Sequence, residues 1–200
     1  MKQPRPILFV LTLSLILSGN VLLADSGSPA VPSKVELRKT GEKYRLYVNG
    51  QEFYVNGAGC EFGDIATLKA HGANSFRTWR IDNGEKSGKE VLDEAHKYGL
   101  KVLMGIEVAR ERHGFDYNDA AAVATQLKKI LEDVNELKDH PALLGWGIGN
   151  ELNLNYTNKR VWDAVNDISE HIHKIDGNHP TTTMLAGIGK EEVDYIRDHC

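Results

Sequence analysis

Between residues 35 and 55, the sequence consists of short runs of hydrophobic and aromatic residues separated by turn-forming pairs. The runs lie at residues 35–39, 44–48 and 52–55, with Thr40-Gly41 and Asn49-Gly50 between them. An Asn-Gly pair between two such runs is a strong signal for a β-hairpin. The pattern predicts a small antiparallel meander.

Beyond this meander, the hydrophobic pattern alternates between strand and helix periodicity. The predicted strands cover residues 53–60, 73–79, 101–108, 143–151 and 181–186. The predicted helices cover residues 65–71, the turns around Val91 to Tyr98, 119–137, about 159–175, and a segment from Lys190 onward. Gly72 and Gly99 end the first two helices. Five β/α steps in a row predict an α/β fold with a parallel sheet and right-handed crossovers.

Such a sheet is either open and doubly wound or closed into an eight-stranded barrel. Residues 56–61 lack the third glycine of a dinucleotide-binding fingerprint, and no acidic residue ends the second strand. We therefore predict a (β/α)8 TIM barrel, preceded by the short hairpin. A full barrel takes ~250 residues, so we expect an incomplete barrel of about five β/α units and a chain that is the N-terminal part of a longer domain.

The N-terminus predicts export. Residues 1–24 combine a basic start, a short apolar run and a small residue at Ala24, which is the pattern of a cleaved signal peptide, with an uncleaved membrane anchor as the alternative. Residues 25–33 form a polar, proline-containing linker, and residues 34–200 form the domain. We expect a secreted or periplasmic protein with no membrane contact beyond the export signal.

Composition and charge narrow the choice of partners. The formal net charge is −4, without a basic stripe, so nucleic acid is not an expected partner. The two cysteines, Cys60 and Cys200, lack metal or redox spacing; a Cys60–Cys200 disulfide is a minor alternative.

The residues with candidate chemistry lie at predicted strand ends. The apolar strand 143–151 ends in Asn150-Glu151, where a carboxyl group in an apolar setting can stay protonated and donate to a leaving-group oxygen. Asn150 can bind a sugar hydroxyl, Trp79 and Trp146 can offer flat faces to sugar rings, and Arg77 ends the second strand. The structural alternatives are a helix N-cap or a surface salt bridge for Glu151, a turn for Asn150, a core position in either barrel layer for Trp146 and an ion pair for Arg77.

Other polar residues are weaker candidates. Glu107 ends the third strand and is expected either to contact substrate or to form a rim salt bridge. His171 and His173 are two apart on a helix, which suits no metal pair, and His113 is expected to be a solvated loop residue. We therefore predict no metal and no cofactor; a metal-dependent hydrolase barrel is a weaker alternative, and the absence of a strand-end His pair argues against it.

Three segments resemble the catalytic barrel of the retaining glycoside hydrolases of clan A, and most of all that of glycoside hydrolase family 2. They are residues 49–57, 72–79 and 139–151, the last running from Asp139-His140-Pro141 to Asn150-Glu151. The resemblance extends over residues 49–200, and the β-1,3-glucanosyltransferases share much of the pattern.

This resemblance implies residue roles. Glu151 matches the general acid/base on strand four, Asn150 the residue that binds the sugar 2-hydroxyl, and Arg77 the arginine beside the nucleophile. The family's nucleophile is a second glutamate after strand seven, and no residue of this sequence matches it. The resemblance implies a retaining hydrolase of β-linked oligosaccharides or polysaccharides; a glucanosyltransferase and an inactive or carbohydrate-binding remnant are the alternatives.

Overall fold

A computed structural model describes residues 31–187 and 189–199. The predicted signal peptide, most of the predicted linker and Cys200 lie outside the described residues, so cleavage near Ala24 and the Cys60–Cys200 pairing remain predictions. Ser33, the last residue of the predicted linker, is buried and donates a hydrogen bond of 2.6 Å to the Pro141 carbonyl. This residue therefore packs with the domain.

The predicted meander is present as a three-stranded antiparallel sheet. Its strands are β1 (Val35–Thr40), β2 (Lys43–Val48) and β3 (Gln51–Glu52), in that order. Asn49 and Gly50 both adopt positive φ, at 51° and 81°, as the tight turn between paired strands requires. The third strand is shorter than predicted because the Asn74 side chain holds the next segment, donating to the Tyr54 carbonyl and accepting from the Asn56 N–H.

Five parallel strands alternate with helices in the rest of the chain, which confirms the predicted fold class. The strands are β4 (Gly57–Gly59), β5 (Ser75–Arg77), β6 (Lys101–Ile106), β7 (Leu143–Asn150) and β8 (Thr181–Met184). The helices are α1 (Ile65–Ala70), α2 (Gly88–Lys97), α3 (Ala120–Leu137), α4 (Arg160–Ile175) and α5 (Lys190–His199). A 3₁₀ turn at Glu111–His113 was not predicted.

The order of the strands distinguishes a barrel from a doubly wound sheet. Neighbours in the sheet are also neighbours along the chain, in the order β4-β5-β6-β7-β8. A doubly wound sheet reverses its strand order at a switch point, whereas consecutive units of a barrel do not. Within the described residues, β4 and β8 are the two edges, so the five units form an incomplete barrel.

The sheet buries its two faces differently. Helices α1 to α5 cover the outer face, where the main core contains Leu92, Val102, Trp146 and Trp162, all without exposed surface. The inner face borders a largely apolar cavity of about 410 Å³ lined by Leu37, Leu46, Leu103 and Leu144, among others.

The hairpin sheet lies at the amino ends of the parallel strands. Val35 donates from its backbone N–H to the carbonyl of Asn178, just before β8, and Val35 and Val48 pack on Leu144. Lys101, the first residue of β6, bonds both Ser33 and the Pro141 carbonyl, and burial lowers the pKa of its ammonium group. At the opposite end of the sheet lie the carboxyl ends of the parallel strands and the loops that follow them. Across residues 31–187 and 189–199, no helix has both the length and the apolar content to span a bilayer.

Candidate active site

Two of the predicted site residues meet at the carboxyl end of the sheet. Arg77, the last residue of β5, donates a hydrogen bond of 2.7 Å from Nη2 to Oδ1 of Asn150, the last residue of β7. The Arg77 guanidinium also lies 4.9 Å from the centre of the Trp79 ring, a cation–π contact. Arg77, Trp79 and Asn150 therefore form one contiguous group on the rim.

Glu151 follows directly on this group in an unusual backbone conformation. Its φ is +56°, and Gly149 two positions earlier has a φ of +72°. The Glu151 N–H donates to the carbonyl of Met184, at the end of β8, at 2.9 Å. A non-glycine residue with positive φ persists only where its surroundings hold it, and such residues cluster at functional sites.

The Glu151 carboxylate itself is left without a protein partner. The residue is half-buried, and its side chain makes no hydrogen bond or ion pair with any of the described residues. Helix α4 begins only at Arg160, so Glu151 does not cap it, and the other structural alternative, a surface salt bridge, is not formed with the described residues. A rim carboxylate of this kind is available to a ligand.

Trp146 does not lie where a sugar-stacking residue must lie, and that prediction is wrong. Its side chain is 0% exposed, within the core under the helices, and its indole N–H donates to Asp176 Oδ2 at 2.7 Å. The core alternative applies to this residue. Trp79, in contrast, is half-buried on the rim beside Arg77 and remains a candidate.

Glu107 sits just beyond the carboxyl end of β6 and pairs with an arginine. Its carboxylate is 3.5 Å from Nη1 of Arg110, and its side chain is 52% exposed. The rim salt bridge expected for Glu107 is therefore present, while a contact with substrate remains a prediction.

Three consecutive residues without a predicted role hold the Glu151 loop. Arg110 and Arg112 reach from the β6–α3 loop to the backbone of Asn150, Glu151 and Leu154, and Glu111 between them bonds Thr157 and Asn158. The only signal in the sequence was an alternation of charges, Arg110-Glu111-Arg112, directly after a strand.

The same loop is also held from the β8 side. Asn153 donates from Nδ2 to the Ala186 carbonyl at 2.6 Å and accepts from the Ala186 N–H at 2.8 Å. Thr183 in β8 donates to the Ile148 carbonyl at 2.8 Å. The loop after β7 is thus tied to both neighbouring strands.

No candidate metal centre emerges from this rim. Within residues 31–187 and 189–199, no three His, Cys, Asp or Glu side chains cluster closely enough to hold an ion. The group formed by Arg77, Trp79, Asn150 and Glu151 supplies one guanidinium, one indole ring, one amide and one carboxylate.

Fold and rim together define this chain as part of a (β/α)8-barrel domain of the glycoside hydrolase type. Residues 59–198, more than half of the chain, match the family described as "Glycosyl hydrolases family 2, TIM barrel domain". The chain belongs to glycosyl hydrolase family 2, which confirms the family predicted from its motifs.

Solved structures with the same fold include several members of this family. A family 2 member from Bacteroides cellulosilyticus superposes with a TM-score of 0.64 at 19% identity, covering 82% of this chain and 22% of that one. The β-glucuronidase of Parabacteroides merdae gives 0.58 at 18% identity, covering 76% of this chain and 20% of that one. The Bifidobacterium dentium β-glucuronidase, complexed with coumarin-3-O-glucuronide, gives 0.57 at 19% identity, covering 80% and 27%.

At these identities the likeness concerns the fold alone. The chain spans between 20% and 27% of the length of these three structures.

Proposed function

We propose that this chain supplies the acid/base half of a retaining glycoside hydrolase that cleaves O-glycosidic bonds of a β-linked glycan, with Glu151 as the general acid/base. The observation that carries the proposal is the Glu151 carboxyl group, half-buried at the carboxyl end of the sheet and unpaired among the described residues. Family membership supports the same chemistry.

The proposed reaction has two steps. In the first step, protonated Glu151 donates to the leaving-group oxygen while a second carboxylate attacks the anomeric carbon; in the second, Glu151 takes a proton from the attacking water. Retention requires the two carboxyl groups to be ~5–5.5 Å apart. We place the nucleophile on a later strand of the barrel, as the family resemblance implies, outside these 200 residues.

The neighbours of Glu151 take the binding roles in this proposal. Asn150, fixed by Arg77, presents its free amide N–H₂ to the sugar 2-hydroxyl, because the amide oxygen already accepts from the guanidinium. Arg77 stays close to the nucleophile's expected position, and Trp79 offers a ring face for stacking. A fixed amide donor loses little entropy on binding, which favours a well-ordered first sugar subsite.

The test is a leaving-group series on the longest natural protein that contains residues 1–200. Substrates are aryl β-glycosides with activated and with poor leaving groups, with β-glucuronides first because β-glucuronidases share the fold. We expect Glu151→Ala to lower kcat/KM by ~10²–10⁴-fold on poor leaving groups, and far less in the glycosylation of activated aryl substrates, which need no proton. Azide, which attacks without a general base, is expected to restore turnover of activated substrates.

Glu132→Ala, on an exposed face of α3, is the matched control. An equal loss with both classes of leaving group would refute the acid/base role. Products longer than the substrate would favour transglycosylation over hydrolysis, and saccharide binding with no turnover in any protein containing the chain would favour a binding module. Export to the periplasm or medium is also proposed, and N-terminal sequencing of the mature protein tests it.

A further inference from the structure

We propose that Arg110, Glu111 and Arg112 form a clamp that positions Glu151 for proton transfer without touching the reacting groups. This inference rests on the acid/base role proposed for Glu151. We call these three residues the clamp.

The two arginines bind the backbone on which Glu151 sits. Arg112 Nη1 donates to the Glu151 carbonyl at 2.6 Å and to the Leu154 carbonyl at 3.2 Å. Arg110 Nε donates to the Asn150 carbonyl at 3.3 Å. Hydrogen bonds from a charged donor are about twice as strong as neutral ones, and the planar guanidinium fixes their direction.

Glu111 holds the far end of the same loop. Its carboxylate accepts from the Thr157 N–H at 2.7 Å, the Thr157 hydroxyl at 2.6 Å and the Asn158 N–H at 3.0 Å. These two residues lead into α4, so the clamp spans the whole loop from the end of β7 to the next helix. The hydrogen bond from Asn158, with those from Thr157, lowers the pKa of Glu111 and keeps it ionised.

The clamp has a rigid base. The backbone N–H of Ala109, just before it, donates to Gln126 Oε1 at 2.7 Å, and the Ala109 carbonyl accepts from the buried Tyr117 hydroxyl. Burial raises the pKa of Tyr117 to about 12, so this hydroxyl keeps its proton. Both backbone groups of Ala109 are therefore anchored to the α3 side of the β6–α3 loop.

The loop needs such support because it contains two non-glycine residues with positive φ. Glu151 has a φ of 56° and Asn155 a φ of 55°. This region strains a glutamate more than an asparagine, and such residues persist where their surroundings hold them. Arg112 spans the segment between them, at Glu151 and Leu154, and Glu111 holds the residues that follow Asn155.

The two arginines bind main-chain carbonyls, Glu111 accepts from Thr157 and Asn158, and all three leave the Glu151 carboxylate free, which identifies them as positioning residues. Releasing the loop is expected to move the carboxyl group away from the leaving-group oxygen, and a misplacement of about 1 Å is enough to lower a rate ~10²-fold. Because proton donation in the glycosylation step matters only for poor leaving groups, the loss of kcat/KM should depend on the substrate.

The experiment compares Arg112→Met with Arg112→Lys and with a matched control, Arg45→Met. Arg45 pairs with Glu52 in the hairpin at the opposite end of the sheet. In the longest protein containing residues 1–200, we expect Arg112→Met to lower kcat/KM, which reports the glycosylation step, ~10–100-fold on poor leaving groups and less than ~3-fold on activated aryl glycosides. Arg112→Lys keeps the charge but not the fork, and should recover part of the loss.

A second measurement is independent of turnover. Amide hydrogen exchange of residues 152–157 should be faster in Arg112→Met than in Arg45→Met, because the loop loses two of its restraints. Unchanged exchange overturns the clamp whatever the activity. An equal loss on both substrate classes overturns its positioning role. If Glu151→Ala fails its own leaving-group test, the proposed function falls, and faster exchange in Arg112→Met still supports the clamp as the device that orders this loop.

Discussion

The buried carboxylate of Asp176 and the donors around it provide a demanding test of the packing beneath β7. Its carboxylate is 1% exposed. Oδ2 accepts from Trp146 Nε1 at 2.7 Å and His179 Nδ1 at 2.9 Å, while Oδ1 accepts from the Asn178 N–H at 3.0 Å. Replacing Asp176 by Asn keeps the size and shape and removes one acceptor atom together with the charge.

The expected magnitude follows from the donors left over. The amide that replaces the carboxylate has one acceptor oxygen, so its N–H₂ group faces either the Trp146 indole or the Asn178 N–H, and that buried donor loses its partner at a cost of ~1–3 kcal/mol. The surviving hydrogen bonds lose their charge assistance, about 1 kcal/mol each. We therefore expect Asp176→Asn to reduce the stability of this region by ~3–5 kcal/mol, which is comparable with the loss on breaking a buried ion pair.

Native-state hydrogen exchange on peptides from β7 and α4 measures this loss, and it does so without requiring two-state unfolding of a longer protein. The matched control is Asp139→Asn, since the Asp139 side chain is 66% exposed and forms a surface ion pair with Lys138. The loss of stability in Asp139→Asn should stay below ~1 kcal/mol. A change in Asp176→Asn within ~1 kcal/mol of this control would refute the reasoning that three convergent donors require a carboxylate.

Two further predictions concern β7 and the carboxylate that binds its tryptophan. Burial raises the pKa of Asp176, but hydrogen bonds from His179 and Trp146 outweigh it and leave the pKa below the ordinary value of 3.8. The stabilisation by the ionised carboxylate is therefore full above that value and is lost as the pH falls through the folded-state pKa. Acid titration followed by tryptophan fluorescence should show this loss in the unsubstituted protein and not in Asp176→Asn. Gly149→Ala places a Cβ 2.5 Å from Leu152 Cδ1 at a φ of +72°, whereas Gly177→Ala meets nothing within 4 Å. We expect Gly149→Ala to destabilise the loop by more than ~2 kcal/mol in hydrogen exchange and Gly177→Ala to have little effect; equal protection in the two variants would contradict the strain at Gly149.

Much of the fold follows from local pattern, because each β/α unit has its own hydrophobic period and its own stop signal. Helix α3 was expected at 119–137 and lies at Ala120–Leu137, with Asp119 capping it through hydrogen bonds to the Ala121 and Ala122 N–H groups. The start of β4 was expected too early, at residue 53. Only the folded chain brings Asn74 against Tyr54 and Asn56, and that contact spans about twenty positions.

The site was predictable where chemistry is local and unpredictable where it depends on register. Asn150, Glu151 and Arg77 were expected at the rim because strand ends are visible in the sequence, and they lie there; their roles remain predictions. The face of the sheet that Trp146 occupies was not predictable, because the register between β6 and β7 shifts. Val102 pairs with Leu143, but Leu103 pairs with Gly145. The extra residue, Leu144, packs on the hairpin, and a one-residue shift reverses which face later side chains occupy.

The composition of β7 explains how it can deliver Glu151 to a fixed place. Trp146 and Ile148 are buried in the core on the helix side, and Asp176 holds the indole. The intervening glycines leave room on the other side, since a Cβ on Gly147 would lie 2.5 Å from the Met184 methyl and one on Gly145 would lie 2.9 Å from the Pro180 carbonyl. At the end of β8, the Met184 carbonyl accepts from the Glu151 N–H at 2.9 Å. The backbone of the proposed acid/base is thus held by β8 on one side and by Arg112 on the other, while its carboxyl group has no partner among the residues described.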